Sequence, residues 1–463
     1  MIMNDTYKKA LVIGLGYRTG LATANFLAAR GVDVAVTDTK SADELADIIA
    51  KLDPSVRLIA GNQEPSILDE GFDIIVLSPG VPRSIPLVRE AEGRGVPVIA
   101  EIELAYRNMK GYTVGITGTD GKSTTTSLTG HILNALGFHT LVGGNIGTPL
   151  ISLAGQTTDK TVTVIELSSF MLETIDTFRP DVAAILNLTP DHLDRYSGMD
   201  EYFAAKKRIF MNQSDDDWFV YNMDSDMLME ARDEYPANSL CFSIDNSGAD
   251  AFTVNNHIYY ATKVIHFPVI SIDMLPVMGI QNVQNVMASM LMILALHEKM
   301  GKLLDPDRIA DAISTFKGLE HRMEYAGEYM GRMFVNDSKA TTIGAVEMAV
   351  RSIGEKGILI IGGRTKGDDY SRLRDVVREK ARGIVLIGES TEMFASIFNG
   401  MNYTKAADME DAVVKAMRMS EEGDMILLSP ACASFDMFTD YEERGKVFKE
   451  CFNKLAGGEI SWT

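Results

Sequence analysis

An α/β architecture of three successive parallel-sheet domains is predicted by three observations. Short β-branched runs alternate with helical patterns along the whole chain, and the alternation restarts near Thr113 and again after Gly318. The 463 residues also suit about three domains at roughly 150 residues each. Boundaries near Lys110 and Gly318 divide the chain into 1–110, 111–318 and 319–463.

In the first segment, Leu11–Gly14 reads as a strand, Leu21–Arg30 as a helix and Val32–Thr37 as the next strand. Phe72–Ser78 and Val96–Ala100 continue the βαβ rhythm. The second segment opens with a strand at Thr113–Thr117, a glycine loop and a helix from Ser123 to Leu136. Strands at Thr161–Glu166 and Val182–Asn187 are almost continuously apolar, as strands covered on both faces are. Phe252–Val254 and His257–Ala261, joined by Asn255-Asn256, read as an edge hairpin, and Val283–His297 as a long apolar helix. The third segment has strands near Met333–Asn336, Gly357–Ile361, Gly383–Ile387 and Met425–Ser429.

Composition narrows the function. The chain carries 44 Lys+Arg against 64 Asp+Glu, a net charge of −20, which argues against a general nucleic-acid or anionic-membrane binder. It leaves room for a polyphosphate, which a few cations and backbone amides hold locally. With 46% hydrophobic and 23% charged residues, the composition is that of an ordinary globular protein. Three scattered cysteines, Cys241, Cys432 and Cys451, form no framework and point to a reducing compartment. The apolar stretch before Gly14 is short and ends in a glycine loop, unlike a signal peptide. The longest apolar run, Met287–Leu296, falls well short of the ~20 residues a membrane span needs. A cytoplasmic protein is expected.

The strongest chemical signal is Gly118-Thr119-Asp120-Gly121-Lys122-Ser123-Thr124 between a strand and a helix. Phosphate binding needs inward amides, a helix N-terminus, a lysine for the terminal phosphates and a hydroxyl for Mg²⁺. All four are present, although the first glycine of the strict phosphate-loop pattern falls at Ile116. A weaker signal is Gly14-Leu15-Gly16-Tyr17-Arg18-Thr19-Gly20, followed by Asp38. It approaches a dinucleotide fingerprint, but its third glycine comes one residue late. A turn that only permits close packing, a nicotinamide site and a site for another nucleotide all remain open, and the last is favoured.

Glu166 ends a buried strand, where a carboxylate is costly unless paired or bound to a cation, so a Mg²⁺ role suits it. On spacing alone His192 reads as a surface loop residue more readily than as a ligand, and Lys206 and Lys207 as a solvated helix face.

Taken together these segments resemble the Mur ligases of cell-wall precursor synthesis, along the whole chain. The strings that carry the resemblance are Ser78-Pro79-Gly80-Val81-Pro82, Gly143-Gly144-Asn145-Ile146-Gly147 and Glu166-Leu167-Ser168-Ser169-Phe170. Further along stand Asn187-Leu188-Thr189-Pro190-Asp191-His192, His321-Arg322, Asn336-Asp337-Ser338-Lys339-Ala340-Thr341 and Ser429-Pro430-Ala431-Cys432-Ala433-Ser434-Phe435-Asp436. The last string, with Glu166–Phe170, is similar to the D-glutamate-adding members.

The resemblance implies a Rossmann-like N-terminal domain, a central domain like a P-loop ATPase with a small antiparallel part, and a Rossmann-like C-terminal domain. It implies an ATP-dependent ligase that joins D-glutamate to UDP-N-acetylmuramoyl-L-alanine through an acyl phosphate. Gly14, Leu15, Gly16, Thr19, Asp38, Thr39, Ser78, Gly80 and Asn145 would hold the UDP substrate. ATP would lie on Gly118, Thr119, Gly121, Lys122, Ser123 and Thr124, with Asn282 and Asn285 near the adenine and Arg322, Asp337 and Lys339 reaching the nucleotide. Ser123, Glu166, His192 and a carbamylated Lys206 would serve two Mg²⁺ ions, with Lys122, Glu166, His192 and Lys206 as the catalytic set. Asp191, Thr341, Lys366, Ser434 and Tyr441 match positions that recognise D-glutamate. The partners implied are these small molecules, with no nucleic acid or membrane, and the chain is expected to be a monomer. The sequence departs from the family pattern at Asp120, Gln281, Thr342 and Tyr441, where asparagine, histidine, asparagine and phenylalanine are usual, and in the longer Gly14–Gly20 loop. A nicotinamide oxidoreductase would leave Lys122 and Glu166 unexplained. A nucleotide sensor would not need His192, Lys206 and Lys339 together.

Overall fold

The computed structural model describes residues 7–61, 63–193, 195–236, 238–261, 266–275, 279–302 and 306–462. Residues 1–6 of the N-terminal stretch discussed above, and Asp194, lie outside them. Described strands form three sheets. The first contains β1 (Lys9–Ile13), β2 (Asp33–Asp38), β3 (Arg57–Ala60), β4 (Ile74–Leu77) and β5 (Val98–Ala100), in the order β3-β2-β1-β4-β5. Every pairing in it is parallel, so the chain reverses direction across the sheet between β1 and β4. Ligands of open parallel sheets bind at such a reversal.

The second sheet contains β6 (Tyr112–Thr117), β7 (His139–Gly144), β8 (Thr161–Glu166), β9 (Val182–Ile185), β10 (Trp218–Asn222), β11 (Ser239–Ser243), β12 (Ala251–Val254), β13 (His257–Ala261) and β14 (His266–Ser271). Its order is β14-β13-β12-β11-β10-β9-β6-β8-β7, parallel from β7 to β12 and antiparallel from β12 to β14. The predicted hairpin is β12–β13, with Asn255 and Asn256 both in the left-handed region a two-residue turn demands. Sequence reading stopped one strand short here, because β14 lies outside the hairpin. It also missed β3, β7, β10 and β11. Strand β7 begins with His139 and ends in two glycines, so only Thr140–Val142 carry strand signal.

These two sheets belong to one compact unit, residues 1–275 and 283–316. One apolar core runs through it from Val12, Val36 and Val76 on the first sheet to Ile165, Ala183 and Phe219 on the second. The second unit comprises residues 276–282 and 317–463. Its sheet contains β15 (Glu324–Tyr329), β16 (Arg332–Asn336), β17 (Gly357–Gly362), β18 (Ala381–Ile387), β19 (Tyr403–Lys405) and β20 (Met425–Leu428), in the order β15-β16-β20-β17-β18-β19. Only β15–β16 pair antiparallel. Apolar clusters cover both faces, as fully buried strands such as β17 require. The edge strands β15 and β19 lack the apolar runs that marked the others and were not foreseen. No described helix is long and apolar enough to cross a membrane.

Candidate active site

Strand β6 lies between β8 and β9, so the ends of these three strands carry the Gly118 loop, Glu166 and Asn187 to one place. The loop turns into the helix Lys122–Ala135 through Gly121, whose φ of 80° suits glycine alone. Any Cβ there would also sit 2.4 Å from the Asn285 Oδ1. Asn285 is buried beneath the loop and accepts from the Thr125 hydroxyl at 3.0 Å. The resemblance places it near the adenine; here it lies against Gly121 and bonds Thr125.

Asn187, quoted in a motif but given no role, is the main tie of this loop. Its Oδ1 accepts from the amides of Thr119 and Asp120 at 3.0 and 2.8 Å, while its Nδ2 donates to the Asp120 carbonyl at 3.1 Å. Thr119 Oγ1 donates to the Thr189 carbonyl and accepts from the Thr189 amide. The Thr189 hydroxyl donates to Asp120 Oδ2 at 3.3 Å, which orients the acid that departs from the family pattern. The sequence shows only an asparagine at the end of an apolar strand run; the loop it ties lies 67 residues away.

Two lysines converge on the loop. Lys122 Nζ donates to the Gly118 and Thr119 carbonyls at 3.0 and 2.6 Å. Lys206, from the helix Met199–Lys207, is 1% exposed and donates to the same Gly118 carbonyl at 2.7 Å. Its Nζ lies 4.5 Å from the Tyr202 ring centre. Burial, then the charge of Lys122, hold the Lys206 amine well below its ordinary pKa, against the opposing pull of Asp191 and Asp120. Lys207 points elsewhere and pairs with Glu234 at 2.8 Å. The two neighbours are therefore chemically distinct, and only Lys206 belongs to the site.

Glu166 is 2% exposed. Its Oε1 accepts from Asn145 Nδ2 at 2.7 Å, whereas Oε2 is buried without a hydrogen bond. A buried carboxylate oxygen left bare is expensive unless a cation completes it, so this position fits Mg²⁺. Among the described residues no three His, Cys, Asp or Glu side chains converge as a metal cage. His192 lies in the left-handed region (φ 54°), a strained backbone for this residue. Its ring packs 4.8 Å from Phe170, and Nε2 lies 3.4 Å from Asp191 Oδ2.

At the first sheet, the Gly14–Gly20 loop opens the helix Thr19–Ala28. Asp38 accepts from the Leu15 amide at 2.7 Å and from the Lys40 amide at 3.0 Å, one on each oxygen. The acid that a dinucleotide fingerprint offers to a ribose is thus already engaged in fixing the turn. Ser78 Oγ donates to the Gly14 carbonyl at 2.7 Å. Thr39 and Gly80 are exposed beside it and Thr19 is half-buried. A Cβ on Gly20 would come within 2.1 Å of the Gly14 carbonyl oxygen, so the late third glycine is required for close helix–strand packing.

In the second unit, two loops are bound together. Ser429 Oγ donates to Asp337 Oδ2 at 2.9 Å, and the Ala431 amide to the Ala340 carbonyl at 2.9 Å. Burial pushes the Asp337 carboxyl up to about 7, against the Ser429 hydroxyl, the Met323 amide and the nearby Arg322 charge. Arg444, missed from sequence, is 2% exposed and joins the loops: it donates to Ser338 Oγ and the Ser338 carbonyl at 2.9 and 2.8 Å, and to the Cys432 carbonyl at 3.1 Å. Lys366 Nζ donates to the Thr341 carbonyl and hydroxyl at 3.0 and 3.1 Å. Lys339 Nζ lies 3.7 Å from the Tyr441 ring centre, and Ser434 is buried nearby in sequence to Cys432. Asn282 belongs to this unit.

A strand–glycine loop–helix with a lysine and a hydroxyl at the helix start, set mid-sheet in a parallel array, defines a phosphate-loop α/β protein. Family models make the assignment specific. The Mur ligase MurD-like N-terminal domain matches residues 8–100, the Mur ligase middle domain 116–293, and the Mur ligase glutamate ligase domain 321–432. The chain belongs to the Mur ligase family. It is 41% identical over 455 residues to the UDP-N-acetylmuramoylalanine--D-glutamate ligase of Koribacter versatilis, covering 98% of both chains. It is 42% identical to the enzyme of that name from Geotalea daltonii, again covering 98% of each. Its fold is shared with the MurF ligase of Thermotoga maritima solved with ADP, at 15% identity and a TM-score of 0.60, covering 97% of this chain and 98% of that one. A pseudomurein peptide ligase type C from Methanothermus fervidus gives a TM-score of 0.58 at 20% identity, covering 97% and 100%.

Proposed function

We propose that the chain is an ATP-dependent ligase that forms the amide between UDP-N-acetylmuramoyl-L-alanine and D-glutamate in peptidoglycan precursor synthesis. Relatives carrying that activity in their names, alike over nearly the whole chain, support it. The observation that carries the chemistry is the meeting of Lys122, buried Lys206 and the bare Oε2 of Glu166 around one glycine loop. A sensor of nucleotides has no use for the last two.

The difficulty in this reaction is that a carboxylate oxygen is a poor leaving group. Transfer of the γ-phosphoryl of ATP to the alanyl carboxylate makes an acyl phosphate and ADP. The D-glutamate amine then attacks the acyl carbon, loses a proton, and orthophosphate departs. Bound Mg²⁺ supplies neutralisation of the phosphate and carboxylate charge. Ser123, Glu166 and His192 are the residues we assign to it, with two ions as the reading. Lys122 offsets charge on the terminal phosphates, and the amides from Gly121 onward face the same group. Lys206, held toward its neutral form, is suited to take up CO₂ as a carbamate, which releases a proton and turns a neutral amine into an anion. In the second unit, Arg322, Asp337 and Lys339 are assigned to nucleotide, and Thr341, Lys366, Ser434 and Tyr441, with Asp191 of the first, to D-glutamate. Gly14, Leu15, Gly16, Thr19, Asp38, Thr39, Ser78, Gly80 and Asn145 are assigned to the UDP substrate. The domain limits 1–110, 111–318 and 319–463, a monomeric state and a cytoplasmic location complete the reading. All three cysteines are free and buried, which suits a reducing compartment.

Phosphate release from ATP with UDP-N-acetylmuramoyl-L-alanine and a panel of amino acids tests this. D-glutamate alone should drive turnover; turnover driven by L-alanine or a diamino acid would refute the specificity.

A further inference from the structure

We infer that Arg18 is a positioning residue: it clamps the Gly144–Gly147 turn and so fixes Asn145 and, through it, the Glu166 carboxylate. The glycine loop of the first sheet is one residue longer than the dinucleotide fingerprint, and Arg18 lies inside the longer stretch. Its guanidinium reaches three carbonyls of one turn. Nη2 lies 2.6 Å from the Gly147 oxygen and 3.4 Å from those of Gly144 and Asn145, and Nη1 lies 3.3 Å from the Asn145 oxygen. Converging carbonyls of a tight turn cannot satisfy one another, and a planar cation with five donors is suited to hold them.

The turn is bound on its other side to Glu166 twice over. The Asn145 amide donates to the Glu166 carbonyl at 2.9 Å and Nδ2 to Oε1 at 2.7 Å. Beyond the turn, buried Glu101 accepts from the Ile151 amide at 2.7 Å, which anchors the following helix. The carboxylate with the bare oxygen is thus oriented by Asn145, and exposed Asn145 is held from the solvent side by Arg18. Residues that orient a metal-binding carboxylate change metal affinity without touching the ion.

The kinetic part of this inference rests on the ligase reading; the structural part does not. Hydrogen exchange on the ligand-free full chain tests the clamp directly, using the parent, R18A, R18K, N145A and the R18A/N145A double variant. In R18A the amides of 144–148 should exchange about tenfold faster, because charge-assisted hydrogen bonds that close the turn are lost. R18K, with one compact ammonium, should restore part of the protection. In phosphate release, the Mg²⁺ concentration for half-maximal rate should rise about tenfold in R18A. The double variant should then be no worse than the more affected single one. Unchanged exchange in R18A overturns the clamp, and effects that multiply in the double variant overturn its route through Asn145. Faster exchange in a chain whose parent forms no amide leaves the clamp standing and removes the ligase reading instead.

Discussion

The loops Gly14–Gly20 and Gly118–Ser123 share one plan, a parallel strand running into glycines and then a helix, yet they are held by opposite chemistry. The first is tied by a carboxylate: Asp38 takes the Leu15 and Lys40 amides. The second is tied by a neutral amide, Asn187, and two lysines bear on its Gly118 carbonyl. An acid fixing the turn suits a site that recognises its ligand mainly through backbone groups. A site that must neutralise several phosphate charges cannot use that acid, so a neutral tie and cations replace it. On the proposed reading, the same supersecondary unit serves holding in one place and reaction in the other.

Substitutions that exchange these chemistries test the contrast. The largest effect belongs to K122A, which should lower ATP turnover by about 10³-fold or more, measured as ADP release, since it removes the cation assigned to the terminal phosphates. Next comes K206A, with a loss of about 10²-fold that short carboxylic acids in the buffer partly restore, because they replace the anion expected on Lys206. K207A, whose ammonium already pairs with Glu234, should stay within about twofold of the parent. N187A should cost about tenfold in turnover by freeing two loop amides. D38N should act more mildly and mainly on the KM for the UDP substrate, since the amide oxygen still accepts one of the two amides. Equal losses in D38N and N187A would erase the distinction between the loops.

The smallest effect is on stability. Burial raises the Glu101 carboxyl from 4.5 to about 7, against the Ile151 amide and the Arg18 charge. Below 4.5 both folded and unfolded chains hold the proton. Between about 4.5 and 7 only the unfolded chain releases it, so stability falls with rising pH across that window and levels off above it. E101Q has no such loss, and its unfolding free-energy advantage over the parent should widen from about pH 4 to pH 8 by about 1–3 kcal/mol, read by chemical denaturation. A gap that stays constant would show that Glu101 does not titrate there.

Legibility from sequence followed side-chain information. Apolar strands such as β8 and β17 and the glycine loops stood out, because burial on both faces and positive φ leave direct marks. Strands β3, β14 and β19 did not, since edge and sheet-end positions accept mixed residues. Lys206 looked like a solvated face and is instead 1% exposed; only the packing of its helix against the phosphate loop reveals that. Asn187 and Arg444 were passed over because their roles are contacts across 67 and 106 residues, which no local pattern encodes.

The approach of Gly20 to the Gly14 carbonyl bears on how such chains are recognised in genomes. A search template that counts positions between glycines rejects this sequence, although the contact that the third glycine exists to permit is intact. What the packing requires is an atom-to-atom clearance that leaves no room for a methyl group, and this chain meets it with one more intervening residue. Templates anchored on that clearance, with one extra position allowed, would admit proteins in which the added residue has found separate employment.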